Sequence, residues 1–305
     1  MGGPLNMNMN MNMNMNMNMA ASGASVGGAG TRVRFNTMDY RKLVTLILGT
    51  TEPLIPTGPG VDLTTMVFPK NWDADLRSYE YLNEFLDAAK TLAGFPHWET
   101  MVPGLTPPNA PPNATAATVL AGDIQQMLDV ALDRDDRFAE IIDQHEAEGA
   151  ISYFLGMLMI DPNRMPATNL LVRVARRIGE HVVMCLKGFY RCPRPSQLCT
   201  AIVPMIDPPA TPSFPSGHSL QSKLIALCLN AATPIALPNH LINELADRIG
   251  WNRVIAGLHY PSDHVAGQAV AQWIMTTILT PLPATSKFKV LVSAAQQELT
   301  HHDPA

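Results

Sequence analysis

The chain has 305 residues, 47% hydrophobic and 15% charged, with a formal net charge of −5. That length can bury a sizeable core in one large domain or two ordinary ones, and the mild acidity argues against the broad basic field that binds nucleic acid. No apolar run reaches the roughly 20 residues that cross a bilayer, so no membrane span is expected.

The N-terminus has neither the basic start nor the apolar stretch of a secretory signal. Gly2 could begin a myristoylation pattern, but Asn6 breaks it. The expected location is cytoplasmic. The cysteines Cys185, Cys192, Cys199 and Cys228 form no C-x-x-C pair. They read as reduced thiols, with Cys185 and Cys228 as small core residues.

Asn6 to Met19 is an Asn-Met alternation, and Ala20 to Gly30 is mostly Ala, Ser and Gly. Neither can bury a defined face, so residues 1–32 read as a disordered tail. Methionine tracts can bind Cu(I), but no Cys or His accompanies this one. Residues 33–70 read as an irregular wrapping segment marked by Pro53, Pro56, Pro59 and Pro69, with Leu43–Leu48 as a short buried strand or helical turn.

From 71 to 299 helical signals dominate. Asn71 or Asp73 can cap a first helix with Leu82, Phe85, Leu86, Ala89 and Leu92 inward, ended by Gly94-Phe95-Pro96. After the Pro-rich connector 103–112, Asn113 caps a second, with Ala117, Leu120, Ile124, Met127, Leu128 and Ala131 on one side. A third is predicted from about Asp136 to Ile160, with Gly149 and Gly156 as points of close helix approach. A fourth runs from about Ala167 to Tyr190, burying Leu170, Leu171, Val174, Ala175, Ile178, Val182 and Leu186, with Lys187 near its end. A fifth opens near Ser216 and reaches Ala232. A sixth starts after Pro238, with Asn239 or His240 near the cap and Leu241, Leu245 and Ile249 inward. The last long helix begins at Pro261, the favoured first helical residue, and presents Ala266, Ala269, Val270, Trp273, Ile274 and Thr277. Residues 286–299 read as a terminal helix before a tail at 301–305. Strand signals are nearly absent. The predicted fold is all-α: one helical bundle at 71–299 with active-site loops at one end.

Chemistry concentrates between Lys187 and Asp263. Arg194 keeps its proton and offers a planar fork of donors to an oxyanion; Arg253 adds a second fork and Lys187 a compact charge. Pro215-Ser216-Gly217-His218 leads into a helix whose free N–H groups, with Gly217 permitting close approach, can cradle an anion. The Ser216 hydroxyl can donate as well, and His218 can protonate a leaving oxygen. His259 is the candidate nucleophile, held in one tautomer by Asp263 one turn later. The three cations can supply the positive charge that a metal ion supplies elsewhere.

These motifs resemble the type 2 phosphatidic acid phosphatase (PAP2) superfamily, which includes class A acid phosphatases and vanadium-dependent haloperoxidases. Its K-x6-R-P motif matches Lys187 to Arg194-Pro195, its P-S-G-H matches Pro215 to His218, and its S-R-x5-H-x3-D matches Arg253, His259 and Asp263. The departure is Asn252, where the family usually has Ser. The resemblance implies that Lys187, Arg194, Ser216, Gly217 and Arg253 bind phosphate, that His218 is the general acid and that His259 is the nucleophile oriented by Asp263.

The expected function is hydrolysis of a soluble phosphomonoester through a phosphohistidine, with no metal or other cofactor. Two alternatives stay open. One is a haloperoxidase that holds vanadate at His259 and uses halide and hydrogen peroxide; the other is a non-catalytic anion binder. The short interval from His218 to Arg253 favours the phosphatase branch. A homodimer is plausible from soluble relatives. The loop Ser196–Phe214 is expected to shape the pocket, with Met205, Ile206 and Phe214 as an apolar wall or as packing. His145, beside Asp143, Glu146 and Glu148, reads as part of a solvated helix face; His181 reads as structural; His264 should point elsewhere on its helix than Asp263.

Overall fold

In the computed structural model, residues 68–70, 72–107, 114–145, 149–233 and 236–300 are described. The predicted tail at 1–32, the wrapping segment as far as 67, the caps Asn71 and Asn113, residues Glu146 and Glu148, and the tail 301–305 lie outside them.

The helices in chain order are α1 Ala74–Ala89, α2 Trp98–Met101, α3 Ala114–Val130, α4 Arg134–Asp143, α5 Gly149–Met157, α6 Pro166–Tyr190, α7 Pro195–Leu198, α8 Gly217–Ala232, α9 Ala236–Ile255, α10 Pro261–Ile274 and α11 Lys287–Thr300. A 3₁₀ turn, Ala131–Asp133, joins α3 to α4, and a π turn, Met275–Leu279, prolongs α10. The described residues contain no strand. The fold is all-α, as the periodicity predicts.

α6 is the central helix. Leu170, Leu171, Val174, Ala175, Ile178, Val182 and Leu186 recur at helical spacing, and all are buried. They pack with Leu224 and Leu229 of α8, Ile249 of α9, and Val270 and Ile274 of α10 in one core. Each such Leu, Ile or Val side chain contributes about 1.5–3 kcal/mol when fully buried. Pro166 occupies the first turn of α6, where its missing N–H costs nothing. The Glu298 carboxylate of α11 accepts from the Ala167 and Thr168 amides at 2.9 and 2.7 Å, placing a negative charge at the positive helix end. Arg191 ends the helix in the left-handed region, with φ 51°.

α1 is capped by Asp73, whose side chain accepts from the Asp75 amide at 2.8 Å. It stops at Ala89, a full turn before the predicted Gly94-Phe95-Pro96. The α1–α6 seam contains a buried ionic cluster. Arg177 reaches Asp75 Oδ2 at 2.8 Å and Glu180 Oε2 at 2.9 Å, and its guanidinium lies over the Tyr79 ring.

Several predicted features are corrected. The third helix is two, α4 and α5, because the chain turns after Asp143. A Cβ on Gly149 would lie 1.8 Å from the Asp143 carbonyl oxygen, so the turn requires glycine there, while one on Gly156 would meet nothing within 4 Å among the described residues. Gly149→Ala is expected to cost about 1–3 kcal/mol; urea unfolding measures it, and wild-type stability would contradict this turn. α9 begins at Ala236, before Pro238, because a proline in the first helical turn gives up no intrahelical hydrogen bond. Its inward face is Ile242, Ala246 and Ile249, whereas Leu241 is 52% exposed. Leu128 and Cys185 are exposed, and Ala269 faces outward while Gly267, Val270, Ala271 and Ile274 face in. In each case the side that a neighbouring helix covers is set a residue or so away from the predicted stripe. Met205 and Ile206 pack on the Ile141–Ile255 cluster, and Phe214 stacks edge-on against Tyr190. These contacts fit the packing reading.

Candidate active site

Backbone hydrogen bonds stitch the three motif segments together. The Ser213 amide donates to the Cys192 carbonyl at 2.8 Å, and the Ser216 amide donates to the Asp263 carbonyl at 3.0 Å. Lys187 arrives on the last turn of α6, Arg194 just before α7, Ser216 as the N-cap of α8, Arg253 on the last turn of α9, and Asp263 on the first turn of α10.

His259 sits where these segments meet. Its Nδ1 lies 3.0 Å from Asp263 Oδ2, and its Nε2 lies 3.4 Å from Arg194 Nη1. A guanidinium only donates. Nε2 is therefore the unprotonated nitrogen, and Nδ1–H donates to the carboxylate. Burial, with the Arg194 and Lys187 charges, holds His259 well below the ordinary imidazole range. Burial pushes Asp263 up, to about 6, against the Ser213 hydroxyl and Lys187. That still leaves a carboxylate at neutral pH.

Asp263 Oδ2 takes further donors: the Ser213 hydroxyl and the Tyr260 amide at 3.2 Å. Ser213 lies in none of the three motifs. Its one signal is position, three residues before Ser216.

The cations are held by carbonyls. Lys187 Nζ donates to the carbonyls of Pro212 and, at 2.9 Å, Ser213. Arg194 donates to the Thr211 carbonyl at 3.0 Å and the Leu258 carbonyl at 2.8 Å. Arg253 Nη2 donates to the Ile141 carbonyl at 2.9 Å, while Arg253 Nε and Nη1 are buried with no hydrogen-bond partner among the described residues. Burial depresses both arginines, each to about 10, and Lys187 well below its usual value. Buried, incompletely paired cations favour an anion among them. An oxyanion such as phosphate or vanadate fits the Arg253 donors and the opening amides of α8. A cavity of about 530 Å³ lies beside Arg194, lined by Arg191, Pro193, Thr211 and Pro212.

His218 Nε2 lies 3.1 Å from the Gln144 carbonyl, so this nitrogen carries the proton. Burial and the Arg253 charge hold His218 well below its ordinary value. Gln144 belongs to the turn after α4, more than 70 residues from His218, and no motif marks it. Asn252, where the family usually has Ser, ties α9 to that turn: its Nδ2 reaches Gln144 Oε1 at 3.0 Å and Glu140 Oε2 at 3.1 Å.

His145 corrects the solvated-face expectation. It is 8% exposed because α4 ends at Asp143 and the turn folds the ring inward. Burial and Arg253 lower it to about 4. His181 is half-buried edge-on to Trp98.

The lowered imidazoles set a pH dependence. Between the ordinary histidine range near 6.5 and about 4, the unfolded chain binds protons that folded His145, His218 and His259 do not. Their contribution to stability is present above that window and falls with pH inside it. His181 and His264 are lowered as well; Asp263, raised to about 6, and the raised Asp123 and Glu180 act in the opposite sense, three carboxyls against five imidazoles. The melting temperature is expected to drop from pH 6.5 to 4, and inorganic phosphate to raise it. Melting curves that are flat across this window would contradict the buried neutral imidazoles.

Fold and site define an all-α protein in which buried cations surround an oriented imidazole. Residues 167–287 match the model described as PAP2 superfamily. Over 93 residues the chain is 32% identical to the decaprenylphosphoryl-5-phosphoribose phosphatase of Mycobacterium tuberculosis, covering 30% of this chain and 49% of that protein. Over 137 residues it is 33% identical to a non-specific acid phosphatase of Salmonella typhi, covering 42% of this chain and 52% of that protein. The chain thus spans about half the length of these curated relatives. A transmembrane PAP2-type phosphatidylglycerolphosphate phosphatase of Bacillus subtilis, solved by crystallography, aligns with a TM-score of 0.42 at 17% identity, covering 67% of this chain and 94% of that one.

The cytoplasmic expectation is corrected by these relatives. One of them is named for a decaprenylphosphoryl compound. No described helix is long and apolar enough to cross a membrane. That criterion measures spanning capacity alone and does not assign a compartment.

Proposed function

We propose that this protein hydrolyses phosphomonoesters through a phosphohistidine at His259, without needing a metal ion. The observation that carries the reading is the wiring of His259: Nδ1 is tied to Asp263, and the Nε2 lone pair faces Arg194. Nε2 attacks phosphorus and the P–O bond to the leaving group breaks, His218 delivering a proton to the departing oxygen. Water then attacks the phosphohistidine, giving its proton to the now neutral His218. The P–N bond breaks and phosphate is released. Lys187, Arg194, Arg253, the Ser216 hydroxyl and the first amides of α8 stabilise the charge on the phosphoryl oxygens. The incoming phosphate charge raises the proton affinity of His218, opposing the effect of the Arg253 charge. The phosphatase relatives support hydrolysis, and no observation of the site favours the vanadate alternative.

The test is hydrolysis of a chromogenic phosphomonoester in the presence of a chelator, with samples quenched at alkaline pH, where a P–N bond survives. Phosphate is expected on the His259 peptide. Full turnover with no phosphorylated peptide at any time would rule out the covalent route.

A further inference from the structure

His264 follows Asp263 in α10, but its ring turns away from His259 into the seam between α8 and α9. Its Nε2 lies 3.1 Å from Asp247 Oδ1, and its Nδ1 lies 2.9 Å from Ser219 Oγ. Ser219 Oγ in turn lies 2.8 Å from Ser216 Oγ, the hydroxyl assigned above to the anion. Both serines are fully buried, and His264 is 5% exposed. Two glycines make room. A Cβ on Gly250 would lie 2.7 Å from both His264 Nδ1 and Ser219 Oγ, and one on Gly267 would lie 2.6 Å from the Ser216 carbonyl oxygen.

We propose that His264 is a positioning residue whose protonation, relayed through Ser219, sets which way the Ser216 hydroxyl points and so couples to anion binding. The inference rests on the phosphate-binding reading of Ser216.

The wiring follows from donor counting. A carboxylate oxygen accepts, so Nε2 carries a proton toward Asp247 in either state. When His264 is neutral, Nδ1 accepts the Ser219 hydroxyl proton. Ser219 Oγ then accepts the Ser216 proton, which is lost to the anion. When His264 is charged, Nδ1–H donates to Ser219 and Ser219 donates to Ser216. The Ser216 proton is then free for a phosphate oxygen. No bond other than hydrogen bonds changes.

The groups facing the ring are Ser219 from α8, and Asp247, Gly250 and Trp251 from α9. On α10 itself, Asp263 is turned to His259, and Gln268 shares Asp247. Burial lowers His264 and Asp247 opposes it, so the neutral state is favoured until the pH falls or an anion enters. One neutral hydrogen bond gained makes phosphate binding roughly two- to tenfold tighter with His264 charged. By reciprocity, phosphate raises the His264 midpoint by roughly 0.3 to 1 pH unit.

Ring ¹⁵N–¹H correlation spectra of the full chain test this, with His264→Gln assigning the signals. At high pH His264 is expected as the Nε2–H tautomer; an Nδ1–H tautomer would overturn the wiring and needs no variant to be seen. With inorganic phosphate the midpoint is expected to rise, and in Ser219→Ala that rise should largely vanish while phosphate still binds. An equal rise in Ser219→Ala would mean that charge acts through space, defeating the relay. Bound phosphate with an unmoved His264 would defeat the coupling alone. No phosphate binding would defeat the anion cup as well.

Discussion

His259→Ala is expected to lower phosphomonoester hydrolysis by roughly 10³-fold or more, with a smaller effect on phosphate binding. The side chain removed is the one whose Nε2 lone pair faces Arg194 and whose Nδ1 is fixed by Asp263. The cations and the amides of α8 remain, so an anion still has its donors. Exogenous imidazole is expected to restore part of the rate, since the deletion opens a space of the right shape beside Asp263. The experiment compares kcat and phosphate inhibition in wild type and variant, with circular dichroism to verify folding. Undiminished kcat in a folded variant would remove His259 as nucleophile.

Asp75→Ala is expected to cost about 3–5 kcal/mol of stability. Asp75 is 3% exposed. It receives Arg177 at 2.8 Å, and Arg173 and Arg176 approach to 3.8 Å. Without it, these arginines are left in the α1–α6 seam with Glu180, whose carboxyl burial itself pushes up. An uncompensated buried charge is the costly case, whereas a solvated pair contributes little. Asp87→Ala, which breaks the exposed Lys90–Asp87 pair, is the control and is expected within about 0.5 kcal/mol of wild type. Urea unfolding of both variants decides the matter; equal losses would show that the seam is not sealed from water.

Much of the helical framework is readable from local pattern. Seven apolar positions at helical spacing specify α6, and Pro261 marks the first residue of α10. Local pattern does not say where a helix stops when tertiary contacts decide it. α4 ends at Asp143 because Gly149 must pass against its carbonyl, and nothing within four residues announces that clash. The same turn delivers Gln144 to His218 and buries His145, so both escaped a reading confined to the motif segments.

By itself the sequence determined the chemical inventory and its local order. Lys187 and Arg194, Ser216 to His218, and Arg253, His259 and Asp263 are short-range spacings, fixed by helical periodicity and by turns. The tertiary structure decided everything that depends on approach across the bundle: the Ser213 hydroxyl on Asp263, the Gln144 carbonyl on His218, the free edge of Arg253, and the His264 chain to Ser216. Apart from Ser219–Ser216, which is local to the first turn of α8, those hydrogen bonds join groups tens of residues apart. Spacing along a chain carries no record of which helices will pack face to face.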